Sequence, residues 1–257
     1  MNDFNEETFV PDEKTNWNNI PRYQNLSEKF IEKFKNKVDW NYISKYQTLS
    51  EKFIEKFEDK VNWYYISKYQ TLSEKCIEKF KNKVDWNYMS IYQTLSEKFI
   101  EKFEDKVNWD YISQYQTLSE KFIEKHNLEI PKSCWLYKTK KEKLNYIKEN
   151  TNYEVIDNNY ILVYKSVRDD YTSVYFPAKY KYEIGKTYES NCNCNLDEDN
   201  SFGLSAWNKQ KALDYHSTGK LLLVKINIED IGAIVYNDNK IRCFKLTILE
   251  EIEKWKQ

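Results

Sequence analysis

Glycine and proline are scarce, with four of each in 257 residues. All four glycines, Gly185, Gly203, Gly219 and Gly232, fall in the C-terminal third. The first half of the chain must therefore turn its corners with Asn, Asp, Lys and Gln-Thr. Histidine occurs twice, and no Ser-His-Asp or Cys-His pair can be assigned from spacing. No run approaches the ~18 apolar residues that a spanning helix needs. The opening Met-Asn-Asp-Phe-Asn-Glu-Glu has neither the basic stretch nor the apolar run of a secretion signal. An excess of one charge is also missing: 40 Lys plus Arg stand against 41 Asp plus Glu. That balance argues against a nucleic-acid binder, which normally carries a basic excess. The five cysteines are odd in number and follow no disulfide framework, so the expectation is reduced thiols in an intracellular, cytoplasmic protein. Cys76 stands where sister repeats carry Phe and reads as an apolar filler.

What the chain does have is repetition. Trp17, Trp40, Trp63, Trp86 and Trp109 are spaced 23 residues apart. A fixed period of this size marks a stacked array whose units cannot bury their apolar faces alone. Aromatics at 17% supply ample material for a core despite 32% charged residues. Residues 1–15 read as an extension, 16–131 as five helical repeats, and 132–257 as a separate domain.

Each Trp follows Asn or Asp, a favoured N-cap, and opens a short helix such as Trp40 to Tyr46. The tryptophans are expected to be buried framework. Gln-Thr makes the next turn, and Thr48-Leu-Ser-Glu51 has the form of a capping box with Thr as N-cap. A second helix is expected from about Leu49 to Lys60, with Leu49, Phe53, Phe57 and Val61 on its apolar stripe. Glu51, Lys52, Glu55, Lys56 and Asp59 then form a solvated face of i, i+3 and i, i+4 pairs. Pro21, in place of the usual Ser, should shorten the first helix of the first repeat, and Pro131 should stop the array.

The five copies can be compared with one another. Two positions vary while the framework does not: Asn18/Arg22, Asn41/Lys45, Tyr64/Lys68, Asn87/Ile91 and Asp110/Gln114. They lie i, i+4 on the first helix, away from the Trp and Ile. Stacked, Asn41, Lys45, Tyr64, Lys68, Asn87, Ile91, Asp110 and Gln114 would form a column that contacts a protein partner. The alternative is that exposed positions simply drift.

After residue 132 the pattern changes to an α+β domain. A charged helix is expected over Lys138–Asn150, with Leu144 and Ile147 inward. Strands are expected at Tyr160–Val167, Tyr171–Phe176, Lys179–Ile184, Lys220–Ile226 and Ala233–Tyr236. A helix falls at Lys209–Tyr215, and a turn at Asn237–Lys240 leads into a long strand, Ile241–Leu249. The fold class is thus an α-solenoid of two-helix repeats followed by an α+β domain.

The repeat motif Trp-x-x-Ile-Ser-x-Tyr-Gln-x-Leu-Ser-Glu-x-Phe-Ile resembles repeats in proteins of giant DNA viruses of the mimivirus type. The segments Tyr164–Arg168, Ile184–Glu189, Ser201–Trp207 with Ala212–Tyr215, and Lys240–Lys245 resemble a domain that closes many phage and giant-virus repeat proteins. The resemblance implies a viral protein working in the host cytoplasm; it implies no activity. The order of the later segments is also similar to the ADP-ribosyltransferase core. That family uses an Arg or His on the first strand, a Ser-Thr-Ser on a middle strand and a late catalytic Glu. This chain offers Lys165, a single Ser205 and Glu250 or Glu251, so the likeness implies a degenerate relative, with Lys165, Ser205 and Glu250 as the alternative catalytic set.

Other chemistry is thin. Cys192 and Cys194 could give two thiolates to zinc, with Cys243 or His216 as further ligands, but a lone Cys-x-Cys is a weak signal. His216 follows a helix end that it could stabilise as a cation. Asp197-Glu-Asp199 lacks the spacing of a calcium loop, and Gly185-Lys-Thr lacks the rest of a phosphate loop. No cofactor is expected. The favoured function is a partner-binding scaffold without membrane or nucleic-acid contacts.

Overall fold

The computed structural model describes residues 4–130, 134–175, 180–196, 201–235 and 237–253. Pro131, Phe176, Lys179, the Asp197–Asp199 run and Tyr236, all assigned a part above, lie outside the described residues. Among the described residues, ten short helices carry the repeats: α1 (Asn19–Tyr23), α2 (Glu28–Lys33), α3 (Trp40–Tyr46), α4 (Glu51–Lys56), α5 (Trp63–Tyr69), α6 (Glu74–Lys79), α7 (Trp86–Tyr92), α8 (Glu97–Lys102), α9 (Trp109–Tyr115) and α10 (Glu120–Lys125). An antiparallel sheet domain with helices follows. The architecture is a repeat helical region followed by an α+β domain. No helix among the described residues is long and apolar enough to cross a membrane.

The chain forms two compact units, residues 1–89 with 172–181, and residues 90–171 with 182–257. In the first unit, Asp39 and Asn62 cap α3 and α5, accepting from the backbone N–H groups of Asn41 and Tyr42, and of Tyr65. Ile43 and Ile66 from the first helices are buried, as are Phe53, Ile54 and Ile77 from the second. The Trp residues are not fully buried as expected: Trp40 and Trp63 keep partial exposure. Each instead reaches back to the end of the preceding repeat, and the indole N–H donates to Lys35 O at 2.9 Å and Glu58 O at 2.8 Å. An indole with a polar edge sits well at such a half-wet position. Pro21 shortens α1 to five residues, against seven in α3.

The second helices are shorter than expected. α4 spans six residues, and its N-cap is Ser50, whose hydroxyl accepts from Phe53 N; Thr48 is not the cap. The capping Glu also works differently. Glu51 reaches forward to the next repeat, accepting from Ser73 N at 2.5 Å and Ser73 Oγ at 3.0 Å, as Glu28 accepts from Ser50 N at 2.7 Å. The first repeat has no predecessor in the array, and Glu6 of the extension fills the place, accepting from Ser27 N at 2.6 Å. Phe4 and Phe9 pack on Phe30 beside it, with centroids 5.6 and 5.5 Å away.

The Gln of the expected Gln-Thr turn is buried. Gln47 is 2% exposed; its amide nitrogen donates to Pro21 O at 2.5 Å and Gln24 O at 2.8 Å, and its oxygen accepts from Leu26 N at 2.8 Å. Ser44 Oγ accepts from Asn62 N and Ser67 Oγ from Asp85 N, both at 2.9 Å. The charged face is likewise wired between repeats: Lys56–Glu32 at 2.5 Å, Lys79–Glu55 at 2.9 Å and Lys83–Asp59 at 3.2 Å all join residues 24 apart. These pairs are half-exposed, worth ~0–1 kcal/mol each, so the buried amides hold the register more firmly. Within the same unit, Thr172 and Lys181 form an antiparallel bridge, with Ser173 N donating to Tyr180 O at 2.8 Å.

The second unit holds α8 to α10, a 3-10 turn at Trp135–Tyr137, and α11 (Lys140–Asn150), which carries a true capping box from Thr139 and Glu142. The strands are β1 (Val155–Ile156), β2 (Tyr160–Val167), β3 (Thr187–Glu189), β4 (Leu204–Trp207), β5 (Lys220–Asn227), β6 (Ile231–Val235), β7 (Lys240–Cys243) and β8 (Lys245–Ile252), with α12 (Lys209–Tyr215) between β4 and β5. All pairings are antiparallel, in the order β3-β8-β5-β2-β4-β7-β6 with β1 on β2. The expected long strand Ile241–Leu249 is two strands, because the chain leaves one neighbour for another at Phe244. Asn237 and Asp238 turn the corner before it at φ 49° and 62°, the geometry that Asn and Asp tolerate best after Gly. On α11 it is Ile147 and, unexpectedly, Lys143 that are buried, with Leu144 only partly so.

The last repeats pack on this sheet domain. Tyr137 Oη donates to Gln116 O at 2.9 Å, and Asn191 Nδ2 donates to Tyr92 O at 2.8 Å. The Phe202 ring meets those of Tyr92 and Tyr115, with centroids 4.5 and 5.8 Å away.

Candidate partner-binding surface

The first helices of the first unit differ from the second helices in charge. α1, α3 and α5 carry Arg22, Lys45 and Lys68 and no carboxylate. α2, α4 and α6 each carry two Glu and two Lys. Counted over the whole chain this segregation vanishes, which is why the sequence reads as neutral.

Of the varied positions, Asn41, Tyr64 and Asn87 are exposed, and Lys45 and Lys68 are partly buried. Asn41 Oδ1 accepts from Asn62 Nδ2 of the following repeat at 2.6 Å. Tyr64 is 47% exposed, yet it is fixed. Its ring packs edge-on to Tyr88 at 4.9 Å and to Tyr65 at 5.2 Å, and its hydroxyl accepts from Tyr88 Oη at 2.8 Å. That bond to Tyr64, with some burial, pushes the Tyr88 phenol up to about 12.

The cations lie over tyrosines of the invariant framework, to which the repeat pattern assigns no part in binding. Arg22 Cζ and Lys45 Nζ both lie over Tyr46, at 5.9 and 4.9 Å. Lys45 Nζ and Lys68 Nζ both lie over Tyr69, at 5.7 and 5.6 Å. Adjacent repeats thus share one ring between two like charges. Burial pulls the Lys45 ammonium down, but the bond to Tyr46 and the phenols of Tyr69 and Tyr65 outweigh it and hold the group above the ordinary lysine value. Burial raises the Tyr69 phenol, with Lys45 opposing and Tyr175 reinforcing. A count of charges per helix, rather than per chain, is the signal that would have found this face.

In the second unit the varied positions have a different setting. Asp110 is exposed, while Ile91 and Gln114 are partly buried, and Gln114 O accepts from the Cys134 thiol at 3.5 Å.

The alternative catalytic residues do not converge. Lys165 pairs with Leu222, and its ammonium donates to the main-chain oxygen of Ser205 at 2.7 Å and lies 4.9 Å from the Tyr182 ring centroid. Burial pushes this amine down to about 8 although the residue as a whole keeps some exposure; the charged end is the enclosed part. Tyr164 pairs with Trp207, and strand alternation puts Ser205 on their face, opposite to Lys165. Glu250 pairs with Leu223 on β8, and the order β8-β5-β2-β4 sets it about 14 Å from β4, three strand spacings. Glu251 is taken by Tyr171 Oη at 2.6 Å and Lys220 Nζ at 3.0 Å.

Cys192 and Cys194 are buried, 2% and 0% exposed, against Gly232. The bond between the two thiols and their burial drive the Cys194 value far up, so the protonated thiol is favoured where a metal would need thiolate. No group of three or more His, Cys, Asp or Glu suited to a metal ion occurs among the described residues. Lys143 is one of several buried cations: its ammonium donates to Glu229 O at 3.0 Å and Ile231 O at 2.6 Å, tying α11 to the start of β6. Compared with protein-family models, with curated proteins and with solved structures, the chain finds no match in any of the three.

Proposed function

We propose that this chain is a protein-interaction scaffold, in which the first-helix face of the repeats receives a partner protein and the sheet domain adds a second, non-catalytic module. The observation that carries the reading is Tyr64: a large side chain, 47% exposed, at a position where the repeats differ, held rigid by Tyr88 and Tyr65. A fixed, exposed tyrosine offers contact area at little entropic cost and is a common anchor of interfaces. Ser205 lies on the sheet face opposite to Lys165, and Glu250 sits three strands from Ser205, which supports binding over catalysis. A viral origin and action in the cytoplasm of a host belong to the same reading and rest on the repeat motif.

The test is affinity capture from producing cells with the wild-type chain and with Asn41→Ala/Tyr64→Ala/Lys68→Ala. Loss of a specific captured protein, with an unchanged circular dichroism spectrum and urea midpoint, is the expected result. Identical capture by the folded variant overturns the assignment of this face.

A further inference from the structure

We infer that the open face of the sheet is a dimer interface, on which Lys225 of one chain pairs with Glu250 of a second copy and the reverse. All of its residues belong to the second unit, so it stands apart from the first-helix face.

The two faces of the sheet differ in burial. On β5, Leu222, Val224 and Ile226 are 0% exposed, whereas Leu223, Lys225 and Asn227, on the other side of the strand, keep partial exposure. The pairings carry that outer face to the neighbouring strands. Leu223 lies opposite Tyr164 of β2 and Glu250 of β8, and Lys225 lies opposite Leu162 and Thr247. Directly opposed residues share a face, so Leu162, Tyr164 and Leu223 form an apolar strip beside the ammonium and the carboxylate. β8 bulges here, and its extra residue, Leu249, is 37% exposed. α12 covers the Ser166 end of this face, where the Ser166 hydroxyl donates to Ala212 O. Beyond it, Leu162 and Tyr164 stay part-exposed.

Two opposite charges on this face have no ion partner among the described residues. Lys225 lies over the Tyr160 ring at 4.4 Å and makes no ion pair, and Glu250 makes none. Nearby charges are matched within the chain, Lys245 with Glu189 at 2.8 Å and Lys220 with Glu251 at 3.0 Å. A ligand of one sign, such as a nucleic acid, would leave either Lys225 or Glu250 uncompensated. A second copy satisfies both. A two-fold axis lying between two such faces, midway between the two residues, brings each Lys225 to the Glu250 of the other chain. The same operation sets Leu223 and Leu249 near their own copies, so the apolar strip is buried as the charges meet. Sheets packed face to face stand ~10 Å apart, a gap that a lysine and a glutamate span together. The strip supplies the area, and the two symmetric pairs set the register.

The experiment is sedimentation equilibrium of the full chain over about 1–100 μM, the range in which a dimer of moderate affinity is populated. The expected result is a reversible dimer. Lys225→Glu and Glu250→Lys should each weaken it about a hundredfold, about tenfold at each of the two symmetric contacts. An equimolar mixture of the two variants should restore it, because every contact in the mixed dimer then joins opposite charges. Glu149→Lys, exposed on α11, makes the same change of charge as Glu250→Lys and should leave the dimer unchanged. Circular dichroism and urea midpoints establish that each variant is folded. A wild-type monomer throughout the range, a dimer that both variants keep, or a mixture that associates no better than either variant alone overturns the inference.

Discussion

The side chain of Gln70 donates a hydrogen bond to the main-chain oxygen of Gln47 at 2.7 Å, although the two residues occupy equivalent places in successive repeats. The same amide also donates to Ser44 O at 2.9 Å and accepts from Leu49 N at 3.0 Å. One buried carboxamide therefore satisfies three groups of the preceding repeat that would otherwise be stranded. Gln116 repeats the arrangement in the second unit with Ser90 O, Gln93 O and Leu95 N.

Gln70→Ala should cost about 3 kcal/mol, because each buried group left unpaired carries ~1–3 kcal/mol and some will find water. Thr71→Ala, at the exposed neighbouring position, should stay within about 0.5 kcal/mol. Urea denaturation of both variants checks this, and similar midpoints would refute the role given to the amide.

Glu51→Ala should open the cap on the next repeat rather than its own. Ser73 N and Oγ lose their shared acceptor, and a lost cap costs about 1 kcal/mol. Hydrogen exchange should quicken at the Ser73 amide while Phe53 N, capped by Ser50 Oγ, keeps its protection.

Gly232→Ala should destabilise the sheet domain by about 1–3 kcal/mol. A Cβ there would lie 2.4 Å from Cys192 Sγ and 3.2 Å from Cys194 Sγ. Adding Cys192→Ala should recover part of the loss. Thermal melts of the single and double variants measure that recovery, and strictly additive losses would contradict the contact.

Lys165 predicts a pH dependence. Burial holds its folded value at about 8, below the ordinary lysine value of 10.5. Between those limits the unfolded chain binds more protons, so stability rises with pH across that window. Below about 8 the folded state carries the full cost of the enclosed ammonium. Urea midpoints for the wild type and Lys165→Met, compared at pH 7 and 9.5, should show a rise in the first that is smaller in the second.

The parts of this fold that were legible are those whose cause is local. The Trp spacing, the Asn and Asp caps of the first helices, β2 and α12 follow from residues within a few positions of one another. The glutamine and glutamate roles were misread for the opposite reason. Thr48-Leu-Ser-Glu51 satisfies a local capping pattern, yet Ser50 takes the cap and Glu51 finds Ser73, 22 residues on. The strand order, with β8 lying between β3 and β5, depends on pairings that no short window contains. β4, Leu-Ser-Ala-Trp, lacks the β-branched residues that announce a strand. The cationic face was hidden by averaging: the neighbouring Glu-Lys-x-Ile-Glu-Lys helices are themselves balanced, and carboxylates elsewhere in the chain offset it in any chain-wide sum.

The joints between repeats have a further consequence. In each unit, the side-chain bonds that tie one repeat to the next, Gln to backbone, Ser to backbone and Glu to Ser, reach across one period and no further. Deleting or duplicating 23 residues between any two equivalent positions would bring together partners already complementary to each other. Glu6 shows that a non-repeat segment can close an end of the array with the same chemistry. The number of copies is therefore a quantity that recombination can change while these framework bonds re-form, so the array can be lengthened or trimmed in whole steps.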